Sequence, residues 1–289
     1  MDNMSKITEI MALARFPTEA CECFEKAYAH IASDSSLFAK LCDLEKTYLA
    51  GEATGDARTA LSKASDVHIH TIEMLLLLSC ATTLRDIYRE KGYSEELFLG
   101  VLTDLRCKLT ECKNVHGLWG TFVFDWFYRF YDCTRFMIGR LQFDTITARY
   151  DYKDVFRTGD TIYNCHIPSA GPLTPESVEE SFKLAYEFYG MNGVMPVACN
   201  SWLLYPKHYE LVGANTRAFV DRFDVISTSE QKNNDDAWRV FGKAATDLES
   251  LPQNTSLQRN LYRYLKDGNK MGAATGIFIY DPCDANQEY

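Results

Sequence analysis

The stretch His166-Ile-Pro-Ser-Ala-Gly-Pro-Leu-Thr-Pro-Glu176 carries the most information about the fold. It begins at the end of a β-rich segment, 161–167, and passes through a loop of glycine and proline. Thr174 followed by Pro175 predicts the start of a helix, because Thr is a favoured N-cap and Pro is tolerated at the first helical position. A strand that ends shortly before a helix N-terminus is where α/β folds gather ligands, since free backbone N–H groups point there. We therefore expect an α/β sheet with a ligand site beside His166.

The segments around this stretch alternate between strand and helix patterns. Predicted strands lie at 136–148, 161–167, 194–204, 224–229 and 272–280. Predicted helices follow Thr174 and occupy 207–223, 237–241 and 257–265, the last opened by a capping box of Thr255 and Gln258. We expect the first two strands to form an antiparallel hairpin and 194–204 to run parallel to 161–167 after a crossover. This order predicts a mixed sheet of about five or six strands.

The region before residue 116 has a different period. Apolar residues recur at spacings of three and four, as in Cys21, Phe24, Ala27, Tyr28 and Ile31, which is typical of helices. The pattern changes around Gly117 and Gly120. We therefore predict a two-domain α+β protein, with an all-α helical bundle at 1–116 and a mixed α/β sheet domain at 117–289.

Aromatic residues crowd the boundary between the two patterns. These aromatic residues either form a core between the two domains or line the wall of an apolar pocket for an acyl or aromatic substrate. The belt consists of Phe122, Phe124, Trp126, Phe127, Tyr128, Phe130 and Tyr131.

Composition excludes several classes of function. The chain of 289 residues has 30 Lys and Arg against 40 Asp and Glu, a formal charge of −10, so nucleic acid is not an expected partner. The longest apolar run, 74–80, is far too short to span a bilayer, and residues 1–5 lack the features of a signal peptide. We therefore expect a cytoplasmic protein that does not bind membranes. None of the ten cysteines forms a C-x-x-C pair, so zinc-ribbon and thioredoxin-type functions are not expected.

Two strand ends carry the candidate chemistry. Histidine can exchange a proton near neutral pH, so His166 is either a catalytic base or a structural histidine that bonds a loop carbonyl. Cys199 lies near the end of the predicted parallel neighbour, where it could pair with His166 as a nucleophile or simply be a buried core cysteine.

Other polar residues are weaker candidates. Arg135 and Arg140 are either phosphate ligands or polar strand residues. Asn215 is most simply a helix cap. His68 and His70 are separated by two positions on a predicted helix, and no metal site is expected there.

Several short segments together resemble a known family. The chain is similar to bacterial two-domain acyltransferase-like proteins, which join a helical N-acyltransferase N-terminal domain to a domain of the GCN5-related N-acetyltransferase (GNAT) type. The resemblance covers essentially the whole chain. Its specific motifs are Ile138-Gly-Arg-Leu-Gln-Phe143, His166-Ile-Pro168 with Gly171-Pro-Leu-Thr-Pro175, Cys199-Asn-Ser-Trp-Leu-Leu204, Asn215 with Phe219, and Thr255-Ser-Leu-Gln-Arg259.

The resemblance implies an acyltransferase that moves an acyl group from acyl-coenzyme A to an amine of a small molecule, as in natural-product biosynthesis. His166 would be the general base, an amide near Cys199 or Asn200 would hold the carbonyl oxygen, and Tyr205, Tyr209 or Cys199 would protonate the leaving sulfur. Ligand binding would involve Ser169, Gly171, Thr174, Ser177, Asn200, Ser201, Trp202, Asn215 and Trp126. The chain departs from the family in one place. Residues 169–177 contain one glycine and two prolines where the superfamily usually has a Q/R-x-x-G-x-G/A loop.

Two alternatives to direct transfer stay open at this point. Cys199 could be a covalent nucleophile activated by His166. The protein could also be a non-catalytic module that retains the fold and binds a small ligand.

Overall fold

The computed structural model describes residues 3–283. The chain divides into two compact units, Met1–Phe136 and Met137–Tyr289. The change of sequence pattern at residues 116 and 117 therefore falls inside the first unit rather than at its end.

The first unit is helical, as its apolar spacing predicts. Its longest helices pack around α5, which contacts α1, α2, α3, α4 and α6. Residues 74–78 of α5 are completely buried, because a helix that is apolar nearly all round is stable only inside a core. The helices are α1 (Asn3–Leu13), α2 (Thr18–Ala32), α3 (Ser35–Leu49), α4 (Gly55–Ser65), α5 (Ile69–Glu90), α6 (Glu95–His116) and the short α7 (Tyr128–Tyr131).

The aromatic belt packs onto these helices. The Tyr131 hydroxyl donates to the Leu77 carbonyl at 2.6 Å, and the Tyr88 hydroxyl donates to the Phe130 carbonyl at 3.1 Å. The Tyr48 ring lies 4.9 Å from Phe124 and 5.1 Å from Tyr131 between centroids. These contacts make the residues after 117 part of the core of the first unit, which is why it extends to Phe136.

The second unit is built on a six-stranded sheet with the order β1-β2-β3-β4-β6-β5. β2 and β3 are antiparallel, β3 and β4 are parallel, and β6 is antiparallel to both β4 and β5. The predicted hairpin, the parallel crossover and the mixed sheet are therefore confirmed. The strands are β1 (Arg135–Ile138), β2 (Leu141–Thr147), β3 (Thr161–His166), β4 (Met195–Ser201), β5 (Asp224–Glu230) and β6 (Gly272–Tyr280).

The helices of the second unit begin largely where their caps predict. Thr174 caps α8 and accepts a hydrogen bond from the Ser177 amide, with Pro175 in the first turn. Thr255 and Gln258 form the expected capping box of α11. Asn215 is not a cap, because Gly213 is the N-cap of α9 and Asn215 lies within the helix. The helices are α8 (Pro175–Phe188), α9 (Ala214–Val220), α10 (Trp238–Phe241) and α11 (Ser256–Lys266).

The two sheet faces have different characters. One face carries Phe143 and Phe278, whose rings lie 5.8 and 4.9 Å from Phe182 of α8, and we name it the α8 face. Side chains alternate between faces along a strand, so the neighbouring residues point the other way. That second surface, named the His166 face, has an apolar part with Ile162, Ala198 and Ile277 packed against Tyr152 and Phe156. Its polar part begins at Asp144 and Asn164 and forms the candidate site.

No single helix within residues 3–283 is long and apolar enough to cross a bilayer, and α4 with α5 satisfies the length and composition test only as a pair bent by 115°.

Candidate functional site

His166 ends β3 beside a buried carboxylate. Its Nε2 lies 3.3 Å from Oδ2 of Asp144 and 2.9 Å from Nδ2 of Asn164. The Asp144 side chain is fully buried, whereas the His166 side chain retains 21% of its exposed surface. Asp144 pairs with Asn164 across the antiparallel β2–β3 ladder, and Gln142 pairs with His166. The strand register therefore places Gln142, Asp144, Asn164 and His166 next to one another on the His166 face, and we name these four side chains the polar row.

This pair of side chains suits proton transfer. A buried carboxylate orients a neighbouring imidazole and stabilises the imidazolium that forms when the ring accepts a proton. The remaining exposed surface lets a substrate approach the ring. The arrangement is thus suited to proton exchange at the imidazole, with the Asp144 carboxylate placed next to the ring.

Cys199 lies on the α8 face, away from His166. The parallel register pairs Tyr163 with Val197 and Asn164 with Ala198, so Cys165 and Cys199 follow as neighbours on the same face. Burial and the adjacent Cys199 thiol raise the pKa of the Cys165 thiol well above its ordinary value. The structure thus corrects the predicted Cys199–His166 pair, because adjacent strand positions point to opposite faces of the sheet.

The loop after β3 is held by an arginine. Nε of Arg140 donates to the Pro172 carbonyl at 2.9 Å, and Nη2 donates to the Gly171 carbonyl at 2.7 Å. Gly171 has a φ of 122°, a conformation that side chains disfavour. The Ser177 amide bonds to Thr174 Oγ1 and the Val178 amide to the Thr174 carbonyl. The protein itself therefore uses these first-turn amides of α8, and Arg140 brings a positive charge to the loop.

The parallel pairing between β3 and β4 is short. Their paired residues are Tyr163 with Val197 and Asn164 with Ala198, whereas β3 continues to His166 and β4 to Ser201. The backbone pairing between the two strands therefore ends at Asn164 and Ala198.

The two predicted tyrosines bond to acidic side chains elsewhere. The Tyr205 hydroxyl donates to Oε2 of Glu230 at 3.3 Å, and the Tyr209 hydroxyl donates to Oδ2 of Asp221 at 3.1 Å. The Asp221 hydrogen bond raises the pKa of Tyr209. The structure does not bring either hydroxyl to His166.

The remaining predicted residues are dispersed. Asn200 shares the His166 face, is exposed, and donates from Nδ2 to Thr275 Oγ1 at 2.8 Å. Ser201 Oγ accepts from the Leu203 amide at 3.2 Å, and Trp202 packs on the apolar cluster around Leu261. Ser169 and Asn215 are exposed. Trp126 belongs to the first unit, where its Nε1 donates to Asp104 Oδ2 at 2.9 Å.

Sequence reasoning missed Asp144, Asn164 and Gln142. A signal for them exists, because Gln142-x-Asp144 and Asn164-x-His166 are polar residues two apart on predicted strands and so share a face. Whether the two pairs lie on the same face of the sheet depends on which strands are neighbours and on their register, and the register cannot be read from the local sequence.

Within residues 3–283, no group of three or more His, Cys, Asp or Glu side chains is placed to hold a metal ion.

Comparison with known families matches both units. A model of the N-acyltransferase N-terminal domain matches residues 5–133, and a model of the GNAT-like C-terminal domain matches residues 136–278. The chain belongs to the two-domain acyltransferase-like proteins that combine these domains. The predicted family and fold class are therefore confirmed.

Solved structures share the same fold. An acyltransferase in complex with decanoyl-CoA and teicoplanin is 20% identical, with a TM-score of 0.76 over 95% of this chain and 88% of that one. An acyltransferase mutant in complex with octanoyl-CoA is also 20% identical, with a TM-score of 0.76 over 95% of this chain and 87% of that one. A third acyltransferase, in complex with CoA and 10C-teicoplanin, is 20% identical, with a TM-score of 0.76 over 94% of this chain and 86% of that one. No curated protein matches the chain.

Proposed function

We propose that this protein transfers an acyl group from acyl-coenzyme A to an amine of a small molecule, with His166 as the general base. The observation that carries the proposal is the Asp144–His166 contact at the end of β3, in a domain of the GNAT-like family. The solved acyltransferases of the same fold are in complex with acyl-CoA or CoA, which supports this donor.

The proposed reaction uses one proton acceptor. The amine nitrogen attacks the thioester carbonyl carbon, and the carbon–sulfur bond breaks as the amide forms. His166 takes the proton that leaves the nitrogen, and Asp144 compensates the charge of the imidazolium. The coenzyme A thiolate leaves and takes up a proton, and the imidazolium gives up its proton to the thiolate or to solvent, so the products are the amide and the free thiol. No covalent enzyme intermediate is required, which agrees with the position of Cys199 on the other face.

The donor is proposed to lie along the ends of β3 and β4 that extend beyond their paired residues. Arg140, already bonded to the loop carbonyls of Gly171 and Pro172, supplies a charge suited to phosphate at this loop. Pro172 and Pro175 have no N–H to donate and the Ser177 amide already bonds to Thr174, so in this proposal the charged side chain of Arg140 takes over part of the phosphate binding from backbone amides.

Two substitutions test the role of His166. With octanoyl-CoA and a panel of primary amines, His166→Ala is expected to lower kcat by about 10²- to 10⁴-fold, the usual contribution of a general base. Thiol release and the mass of the amide product measure turnover. The matched control is Cys199→Ala, which removes the other candidate and is expected to retain turnover.

The alternatives predict different results. Full turnover by His166→Ala would refute the assignment of the base. An acyl adduct on Cys199 in intact-mass spectra would favour covalent transfer. A non-catalytic binding protein would be stabilised by octanoyl-CoA or by another ligand without any thiol release in the wild-type protein.

A further inference from the structure

Gln142 is a buried amide without a hydrogen-bond partner. Its side chain is completely buried, and within residues 3–283 neither Nε2 nor Oε1 forms a hydrogen bond. Burying an amide without partners is costly, so unsatisfied groups of this kind require an explanation. Folding stability alone would favour an apolar side chain at this position.

Two other glutamines, Gln231 and Gln258, have hydrogen-bonded side chains. Gln231 Nε2 donates a hydrogen bond to Asp236 Oδ2, and Gln231 Oε1 accepts one from the Asp236 backbone amide at 3.0 Å. Gln258 donates to the Val240 carbonyl at 3.1 Å and accepts the Thr255 amide at 3.2 Å. Gln142 thus differs from glutamines that have a clear structural role.

The location of Gln142 points to the substrate. It pairs directly with His166 across the β2–β3 ladder, and directly opposed residues of such a ladder have Cβ atoms about 4.5–5.5 Å apart. Asp144 lies two positions along β2 on the same face. Among the other members of the row, His166 contacts both Asp144 and Asn164. Gln142 is therefore the next polar side chain of this row beyond the partly exposed His166.

We propose that Gln142 is a specificity-determining residue that binds a hydroxyl group of the acceptor on the carbon next to its amine. This assignment rests on the proposed acyl transfer. A hydroxyl both donates and accepts, so it can donate to Oε1 and accept from Nε2–H. The preferred acceptors are therefore amino alcohols.

The position of Gln142 relative to His166 indicates that it binds the amine acceptor rather than the acyl-coenzyme A donor. In the proposed function the thioester approaches from the β4 side of β3, where the parallel pairing ends. β2 lies on the other side of β3 and stays paired with it up to Gln142 and His166. The attacking amine delivers its proton to His166, so its neighbouring substituents extend toward the β2 side.

A stability measurement tests whether the amide is structural. Gln142→Met replaces the carboxamide with an apolar chain of similar length, and it is expected to raise Tm by about 2–4 °C because an unpaired buried amide is removed. Gln231→Met is the matched control and is expected to lower Tm, since it removes a paired amide. A lower Tm for Gln142→Met would show that the amide supports the fold and would overturn the proposal.

Kinetics test the specificity. With octanoyl-CoA, wild-type kcat/KM for trans-2-aminocyclohexanol is expected to exceed that for cyclohexylamine by about tenfold, the worth of one good hydrogen bond. Gln142→Met is expected to abolish this preference without changing the KM for octanoyl-CoA. An unchanged preference, or a change confined to the octanoyl-CoA KM, would overturn the assignment while leaving acyl transfer intact. If the wild-type protein acylates neither amine, the proposed function fails and the assignment fails with it.

Discussion

His166 and His70 have similar exposure but different surroundings. Each side chain is 21% exposed and lies near one carboxylate, Asp144 at 3.3 Å for His166 and Glu73 at 3.6 Å for His70. The His70 ring, however, lies 4.8 Å from that of His68 and 5.0 Å from that of His116. Burial and these two imidazoles lower the pKa of His70 to about 4.

Two histidines with the same side-chain exposure therefore lie in different electrostatic surroundings. Glu73 also forms an ion pair with Arg58, and both side chains are largely buried. A ring at the centre of a histidine cluster stays neutral at physiological pH and contributes to packing. A ring beside Asp144 is suited to accept a proton in the proposed reaction.

The largest expected effect is a loss of turnover when the carboxylate beside His166, Asp144, is neutralised, in contrast to the carboxylate beside His70, Glu73. Asp144→Asn keeps the size of the side chain but removes the charge that stabilises the His166 imidazolium. We expect kcat with octanoyl-CoA and an accepted amine to fall by about 10²- to 10⁴-fold, with the KM for octanoyl-CoA unchanged. Steady-state kinetics on folded protein, verified by circular dichroism, measure the change.

Glu73→Gln is the matched substitution beside His70. It leaves Arg58 without its buried partner, so it is expected to lower stability but not turnover at a temperature where the protein is folded. Equal losses of kcat in the two variants would remove the distinction between the two histidines.

An intermediate effect concerns the pH dependence of stability. The unfolded pKa of His70 is near 6.5 and its folded pKa about 4, so the folded state binds fewer protons in this range and loses stability as the pH falls from 6.5 to 4. Because solvent screens this partly exposed ring, the effect is smaller than the full pKa shift implies, and we expect His70→Gln to lose about 1–2 kcal/mol less than the wild-type protein over this interval. Denaturant unfolding at several pH values gives the difference.

Comparing the two proteins isolates His70 from other titrating groups. Burial raises the pKa of Glu73 to about 7, which makes stability fall as the pH rises from 4.5 to 7, and this carboxyl is present in both proteins. Parallel stability curves for the wild type and His70→Gln would contradict the lowered pKa of His70.

The smallest expected effect lies just beyond His166. Thr174→Ala removes the side chain that caps α8, and such a change costs about 1 kcal/mol. Chemical denaturation measures the free energy of unfolding. Thr255→Ala removes the cap of α11 far from His166 in sequence and serves as the comparison. If both lower stability equally but only Thr174→Ala raises the KM for octanoyl-CoA, the start of α8 contributes to donor binding as well as to folding.

Much of the second unit could be predicted because its signals are local. Alternation of apolar residues predicted the strands, and the Thr174-Pro175 pair predicted the start of α8. The prediction for Asn215 was wrong because the chain enters α9 two residues earlier, at Gly213. A cap depends on the backbone conformation at one residue, and several polar residues near a helix start look alike in sequence.

The candidate site could be predicted only in part. His166 was identified from its place at a strand end, but Asp144, 22 positions earlier in the chain, was not. Cys199 was paired with His166 because both lie near the ends of predicted parallel neighbours. The error came from treating neighbouring strand ends as one place, whereas the pleat sends adjacent side chains to opposite faces.

The sequence by itself determined a helical first region, a mixed sheet after it and a histidine at the end of a strand before a capped helix. These features depend on local periodicity and capping, which act within a few residues. Only the tertiary structure decided that His166 lies beside Asp144, that Cys199 lies beside Cys165, and that Gln142 is buried opposite the imidazole. Those contacts depend on the register between strands distant in sequence, where a shift of one residue exchanges the two faces.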